Sequence, residues 1–241
     1  MPPCQTALSP GPLDHVATWI FDLDNTLYPA SCRLFDQVDR RIGQFIAEHF
    51  DLDPVAARAL QKRYFREYGT TLRGLMTEHG IDPHRFLDYV HEIDHTPVVP
   101  DPALDRALAR LAGRKLVFTN GSCSHAERVM ARLGVARHFE AVFDIAAAHF
   151  TPKPELACYH ALIERHGVAP AAAAMIDDIP RNLLPAHGLG MTTIWVITDT
   201  EYGGTGEDGG HIHHRTENLA AFLEAVLAAR MPAQGGVAAG G

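Results

Sequence analysis

The chain of 241 residues has few cysteines, no long apolar run and no excess of positive charge. Its four cysteines (Cys4, Cys32, Cys123, Cys158) stand apart without a CxxC pair, which reads as reduced thiols rather than a disulfide framework. No apolar stretch reaches the roughly 18 residues of a membrane-spanning helix. The N-terminal residues show neither a basic start nor an apolar core, so no secretory signal is expected. Lysine and arginine number 21 against 29 acidic residues, a net charge of −8 that argues against general binding to nucleic acid or anionic membrane. What is present is ordinary for a folded chain: 46% apolar and 21% charged residues. The expectation is a soluble cytoplasmic protein, and the sequence carries no signal of oligomeric state.

Short apolar runs at 18–21, 115–118, 141–145, 174–176 and 192–197 alternate with helical patterns at 101–112, 124–133, 155–165, 181–187 and 217–229. The runs lack strict alternation, as strands covered on both faces do. This order predicts an α/β fold, a doubly wound Rossmann-like parallel sheet. Residues 29–97 break the rhythm, showing helical periodicity and no convincing strand. Leu34, Val38, Ile42, Phe45 and Ile46 form one stripe, and Phe86, Leu87, Val90 and Ile93 another. Asp53-Pro54, Asp82-Pro83 and Asp101-Pro102 each place a capping carboxylate before a proline suited to a first helical turn. The expected organisation is a flexible tail at 1–13, a core from 14–28 plus 98–230, a helical cap insertion at 29–97, and a second flexible tail at 231–241.

Chemistry-bearing residues gather at the ends of the expected strands. The first runs into WIFDLDNTLYP, delivering Asp22 and Asp24. The second ends in KLVFTNGS, offering the Thr119 hydroxyl, the Asn120 amide and backbone N–H groups at Gly121 and Ser122 ahead of a helix. A later strand ends in MIDDIPRN, adding Asp177, Asp178 and Asn182, and Lys153 lies in TPKPE before it. Ligands of open α/β sheets bind beyond the carboxyl ends of the strands. Several carboxylates there would repel one another without a cation, and all-oxygen ligation suits Mg²⁺. The lysine with hydroxyl and amide donors suits phosphate oxygens. One carboxylate can then attack phosphorus while its neighbour handles the leaving-group proton.

These motifs, in this order, resemble the haloacid dehalogenase-like hydrolase superfamily. The resemblance runs from about residue 15 to 200. It implies that Asp22 is a nucleophile forming an aspartyl-phosphate, that Asp24 is general acid and then base, and that Thr119, Asn120 and Lys153 bind the phosphoryl group. It further implies Mg²⁺ held by Asp22, the main-chain carbonyl of Asp24, and Asp178, with Asp177 and Asn182 as weaker candidates. DLDNTLYP, TNGS and the segment KRYFREYGTTLRGLM are similar to pyrimidine 5′-nucleotidases. That similarity implies a nucleoside monophosphate substrate, with Tyr64, Phe65, Tyr68, Thr70, Thr71 and Arg73 placed to meet a base. Aromatics at helical spacing are as often cap core, so the polar 69–74 stretch is the better guess for a substrate loop.

Rival readings differ in chemistry. A phosphatase for a sugar phosphate or another small metabolite keeps the same site. A 2-haloacid dehalogenase shares the nucleophile but needs neither a leaving-group acid nor an acidic pair. A phosphonate hydrolase would want a cap lysine, for which only Lys62 is at hand. A non-catalytic binding protein would not need every position filled. Arg181 fits a phosphate contact or a surface ion pair. HIHHR at 211–215 invites a zinc reading, but adventitious binding is the simpler one. Cys123 has no base in view and is not read as a nucleophile.

Overall fold

The computed structural model describes residues 13–200 and 209–230; the expected tails, Leu13 apart, and the segment 201–208 lie outside them. Six strands form one parallel sheet in the order β3-β2-β1-β4-β5-β6. They are β1 (Thr18–Phe21), β2 (Arg114–Phe118), β3 (Ala141–Phe143), β4 (Ala173–Asp177), β5 (Thr192–Val196) and β6 (His214–Thr216). Because successive strand residues face opposite sides, each strand feeds two apolar layers. Trp19, Phe21, Val117, Ile176 and Ile194 join one core with helices α5 (Pro102–Arg110), α6 (Cys123–Leu133) and α9 (Leu219–Arg230). Ile20, Leu116, Phe118, Met175 and Trp195 join the other with α7 (Leu156–His166) and α8 (Pro180–Gly188). This two-sided burial is why the strands lack alternation. Leu13, expected in the tail, is 4% exposed and belongs to the first core.

Between β1 and α5 the chain makes α1 (Leu34–Phe50), α2 (Pro54–Tyr68), α3 (Thr71–His79) and α4 (Pro83–Val90). They share a core of their own, with Phe45, Ile46, Tyr64, Leu75 and Phe86 at its centre and Ile145 reaching in from the chain after β3. Asp53, Asp82 and Asp101 each accept hydrogen bonds from main-chain N–H groups at the head of a helix whose first residue is proline.

One stretch that the sequence left without an element has one, and one expectation needs correction. The histidine-rich 211–215 stretch contributes the edge strand β6, with His214 beside Ile194 and Thr216 beside Val196. A three-residue polar edge carries too little pattern to be seen in a sequence. Its imidazoles are engaged locally: His213 Nδ1 accepts from Thr193 N–H at 3.0 Å, and His211 Nδ1 lies 2.8 Å from the Gly209 carbonyl. The one group of three or more candidate metal ligands among the described residues lies elsewhere, at Asp22, Asp177 and Asp178.

The 69–74 stretch is likewise no loop. Gly69, at φ +81°, ends α2, and Thr70 caps α3 by accepting from Arg73 N–H. Gly74 is then a helical residue packed so closely that a Cβ would come within 2.5 Å of the Tyr64 ring. Glycine here serves close approach and not flexibility. Gly74→Ala should therefore destabilise the protein by about 1–3 kcal/mol in urea unfolding, because overpacking outweighs a helix-propensity gain of about 1 kcal/mol.

Candidate active site

In the strand order, β1 lies between β2 and β4, and the first three groups of interest lie beyond the carboxyl ends of those strands. Asp22 N–H donates to the Ile176 carbonyl at 2.8 Å, prolonging the sheet by one residue and fixing the Asp22 side chain at the crevice. Its Oδ1 accepts from Lys153 Nζ at 2.7 Å and its Oδ2 from the Thr26 hydroxyl at 3.2 Å. The same ammonium donates to Asp177 Oδ2 at 2.7 Å and to the Phe118 carbonyl at 2.9 Å, and Lys153 is only 1% exposed. All three of its protons thus have acceptors.

Burial raises Asp22 to about 7, with Asp177 adding to the rise and Lys153 opposing it. Burial works against the charge of Lys153, but Asp177 and Asp22 outweigh it and push the ammonium upward. Asp178, 2% exposed, is pushed well above the usual carboxylate range by burial and by Asp22 and Asp177. Asp22, Asp177 and Asp178 bring oxygens within 4.8 Å of one another. Three buried carboxylates face one lysine, and no protein donor reaches the Asp178 carboxylate among the described residues. A divalent cation with oxygen ligands fits that donor set.

The expected site residues sort by contact. Thr119 is buried and its Oγ1 accepts from Gly121 N–H at 2.9 Å, which leaves its own O–H free to donate. Asn120 lines the crevice, and its amide clamps the Lys153 main chain: its Oδ1 accepts from Lys153 N–H at 2.8 Å and its Nδ2 donates to Lys153 O at 3.3 Å. Asp177 accepts three bonds, from Lys153, Asn182 and Ile179 N–H, so Asn182 acts on Asp177. The Gly121 N–H expected to be open is taken by Thr119.

The insertion roofs this crevice. A cavity runs from Asp22, Thr119, Lys153 and Asp178 to walls that include Phe35, Val38, Phe65, Phe86, Val90 and Ile145. Thr70 and Thr71 line it as well, although the Thr71 hydroxyl donates to Gln61 O at 3.1 Å. Arg73 is exposed and does not line it, because the α3 turn carries its side chain outward. Tyr64 belongs to the insertion core and Tyr68 donates to Glu78, so of the expected aromatics only Phe65 lines the cavity. Arg181 makes no ion pair among the described residues: it lies 4.3 Å over the Phe65 ring and donates to Gly69 O at 3.1 Å, tying α8 to the insertion.

Sequence reasoning missed three histidines beside Asp24. Asp24 Oδ1 accepts from His125 Nε2 at 2.8 Å and from Tyr28 O–H at 2.6 Å. Burial alone would raise Asp24, yet His125 and Tyr28 outweigh it and hold the carboxyl below its ordinary value. His91 stacks on His125 with centroids 4.5 Å apart, and His95 Nε2 lies 3.2 Å from His125 Nδ1. His91 and His95 stand four residues apart in HEIDH, a spacing the sequence reading passed over, but they lie on irregular chain, and His125 is 30 residues further on.

With this geometry in view, the comparisons place the protein. The haloacid dehalogenase-like hydrolase family matches residues 16–190, and the chain belongs to it. Among named relatives, it is 29% identical over 203 residues to "Phosphate metabolism protein 8" of Saccharomyces cerevisiae, covering 76% of this chain and 63% of that protein. Solved structures of the same fold include the L-2-haloacid dehalogenase of Xanthobacter autotrophicus (TM-score 0.50, 17% identity, covering 78% of this chain and 80% of that one). Another is a dehalogenase with an intermediate complex (TM-score 0.54, 15% identity, covering 88% and 98%).

Burial and the neighbouring His125 push His91 down to about 3. Unfolded, the same imidazole takes up its proton near pH 6.5. Between those values the imidazole is protonated in the unfolded chain and neutral in the folded one, so the contribution of His91 to stability falls as the pH drops. His91→Gln should flatten that acid limb by up to about 1.4 kcal/mol per pH unit, measured by urea unfolding at successive pH values from 7 to 4; an unchanged slope would contradict it.

Proposed function

We propose that this hydrolase is a phosphomonoesterase working through an aspartyl-phosphate on Asp22. The supporting observation is the pairing of a buried lysine with Asp22 at the crevice, next to a second carboxylate, Asp24, that keeps one oxygen unengaged. Asp22 attacks phosphorus and the ester P–O bond breaks. Asp24 gives its proton to the leaving oxygen, takes one from the water that then attacks the phospho-aspartate, and so returns Asp22 with release of inorganic phosphate. A dianionic phosphate arriving beside Asp24 disfavours its charge, so proton uptake accompanies substrate binding. Lys153 orients Asp22 and places its positive charge beside the phosphoryl group, whose oxygens the Thr119 hydroxyl can meet. Asp22, Asp178 and the Asp24 carbonyl would hold Mg²⁺, which supplies neutralisation of phosphoryl charge. Asn120 sets Lys153 through its main chain, and Asp177 with Asn182 sets its ammonium.

The substrate we favour is a pyrimidine nucleoside 5′-monophosphate. The resemblance in motifs supports it, and so does a cavity whose apolar walls and threonine hydroxyls suit a flat group with polar edges. A relative named for phosphate metabolism favours a phosphoester over a haloacid. The bare carboxylate of Asp178 does so too, since halide displacement uses no cation.

Phosphate release from UMP, CMP, dTMP, AMP, GMP and sugar phosphates, with Mg²⁺ and with chelator, tests this. UMP and CMP should be preferred and chelator should stop turnover; activity confined to sugar phosphates would keep the mechanism and discard the nucleotide. Asp22→Asn should abolish turnover, and Asp24→Asn should lower it about 10²–10⁴-fold; wild-type rates in either sink the mechanism.

A further inference from the structure

His125 lies in the first turn of α6, is 0% exposed, and has no part in the steps above. Its Nε2 and the Tyr28 hydroxyl both end on the same oxygen of Asp24, Oδ1. A carboxylate oxygen offers two in-plane lone pairs, so two donors saturate Oδ1 and fix the plane of the group. Oδ2 is the oxygen left for proton exchange. It lies beside Gly121, where an added Cβ would sit 3.7 Å from Oδ2 and 3.3 Å from Thr119 Oγ1. Absence of a side chain at 121 keeps the space between the Asp24 and Thr119 oxygens open.

The imidazole ring is itself held. His91 covers one of its faces at an interplanar angle of 6°, and the Ser122 hydroxyl lies 2.8 Å from His91 Nδ1. His95 meets the ring's far nitrogen at 3.2 Å. Both come from the stretch that leads out of α4 back to the sheet, so the end of the insertion braces a ring on α6 that braces Asp24 on β1's turn. A free aspartate samples several rotamers, and proton transfer requires one.

We propose that His125 is a positioning residue for phosphoryl transfer: with Tyr28 it pins Asp24 Oδ1 and so presents Oδ2 to the reacting oxygens. This rests on the reading of Asp24 as acid and base. The consequence is selective. An alkyl phosphate must have its alkoxide protonated as it leaves, whereas p-nitrophenolate leaves without help. Misplacing Asp24 therefore harms the first kind of ester more than the second. The constant kcat/KM reports only the steps through the first P–O cleavage, so later hydrolysis of the phospho-aspartate does not blur the comparison.

The experiment measures kcat/KM for p-nitrophenyl phosphate and for an alkyl phosphate that the wild type turns over, UMP or glycerol 3-phosphate. Variants are His125→Leu, His125→Gln, Asp24→Asn and the double variant with His125→Leu. His125→Leu should lower the alkyl value about 10²-fold and the p-nitrophenyl value less than about tenfold, within the range of general acid catalysis. His125→Gln, whose amide nitrogen can reach the place of Nε2, should recover about tenfold or more of the alkyl loss. In the Asp24→Asn background His125→Leu should cost nothing further on the alkyl ester. Equal losses on the two esters, no rescue by glutamine, or losses that multiply in the double variant overturn the proposal. If His125→Leu does not fold by circular dichroism, His125→Met, more adaptable in a core, takes its place in the same comparison. Wild-type kcat/KM in Asp24→Asn would bring down the mechanism itself. An impaired Asp24→Asn beside an unimpaired His125→Leu brings down this inference alone.

Discussion

A buried ammonium group shared between Asp22 and Asp177 is the constraint on which the site depends. A lysine this deep is costly unless its charge is matched and its protons are accepted. Here two carboxylates and the Phe118 carbonyl meet both conditions. The bridge joins the ends of β1 and β4 across their shared ladder, so the charged triad and the sheet register hold each other. It also leaves Asp178 as an additional buried acid, in which burial and the neighbouring Asp22 and Asp177 outweigh the charge of Lys153. Three acids against one lysine in a closed crevice make a donor set that suits a divalent cation.

The supports of the site outnumber the groups that would touch a substrate. Asn120 grips the main chain of Lys153, Asn182 and Ile179 N–H hold Asp177, and Tyr28 with His125 holds Asp24. Each removes a rotational freedom that the chemistry would otherwise have to pay for. Closure comes from the insertion, which lends apolar walls on one side and ties to the core through Arg181, the His91–His125 stack and the His95–His125 contact. An enclosed site strengthens every electrostatic contact inside it by keeping water out. The solved dehalogenases share this fold at 15–17% identity, and so speak only to the fold.

Much of this was legible in the residues. Asp22, Asp24, Lys153 and the Asp177–Asp178 pair announce themselves because they lie just past apolar strands or between them, and a doubly wound sheet brings its strands' carboxyl ends to one edge. Helix starts at Asp53, Asp82 and Asp101 were legible because a capping carboxylate acts on its own next few residues. The 69–74 stretch misled, since glycine signals a turn and a close approach in the same letter; only the Tyr64 ring above Gly74 decides between them. The grip of Asn120 on the Lys153 main chain was not legible, because an amide serves a phosphate or a main chain equally well and the two residues lie far apart in sequence.

Sequence by itself therefore determined the layered sheet, the helical insertion and the acidic and basic groups at the strand ends, all of which arise from periodicity and order along the chain. Tertiary structure alone decided which oxygen of Asp24 stays open, that His91 and His95 converge on His125, and that the 214–216 stretch is a strand. Those are contacts between residues distant in sequence or too few to make a pattern. Their partners are chosen by packing in space, and no local propensity encodes that choice.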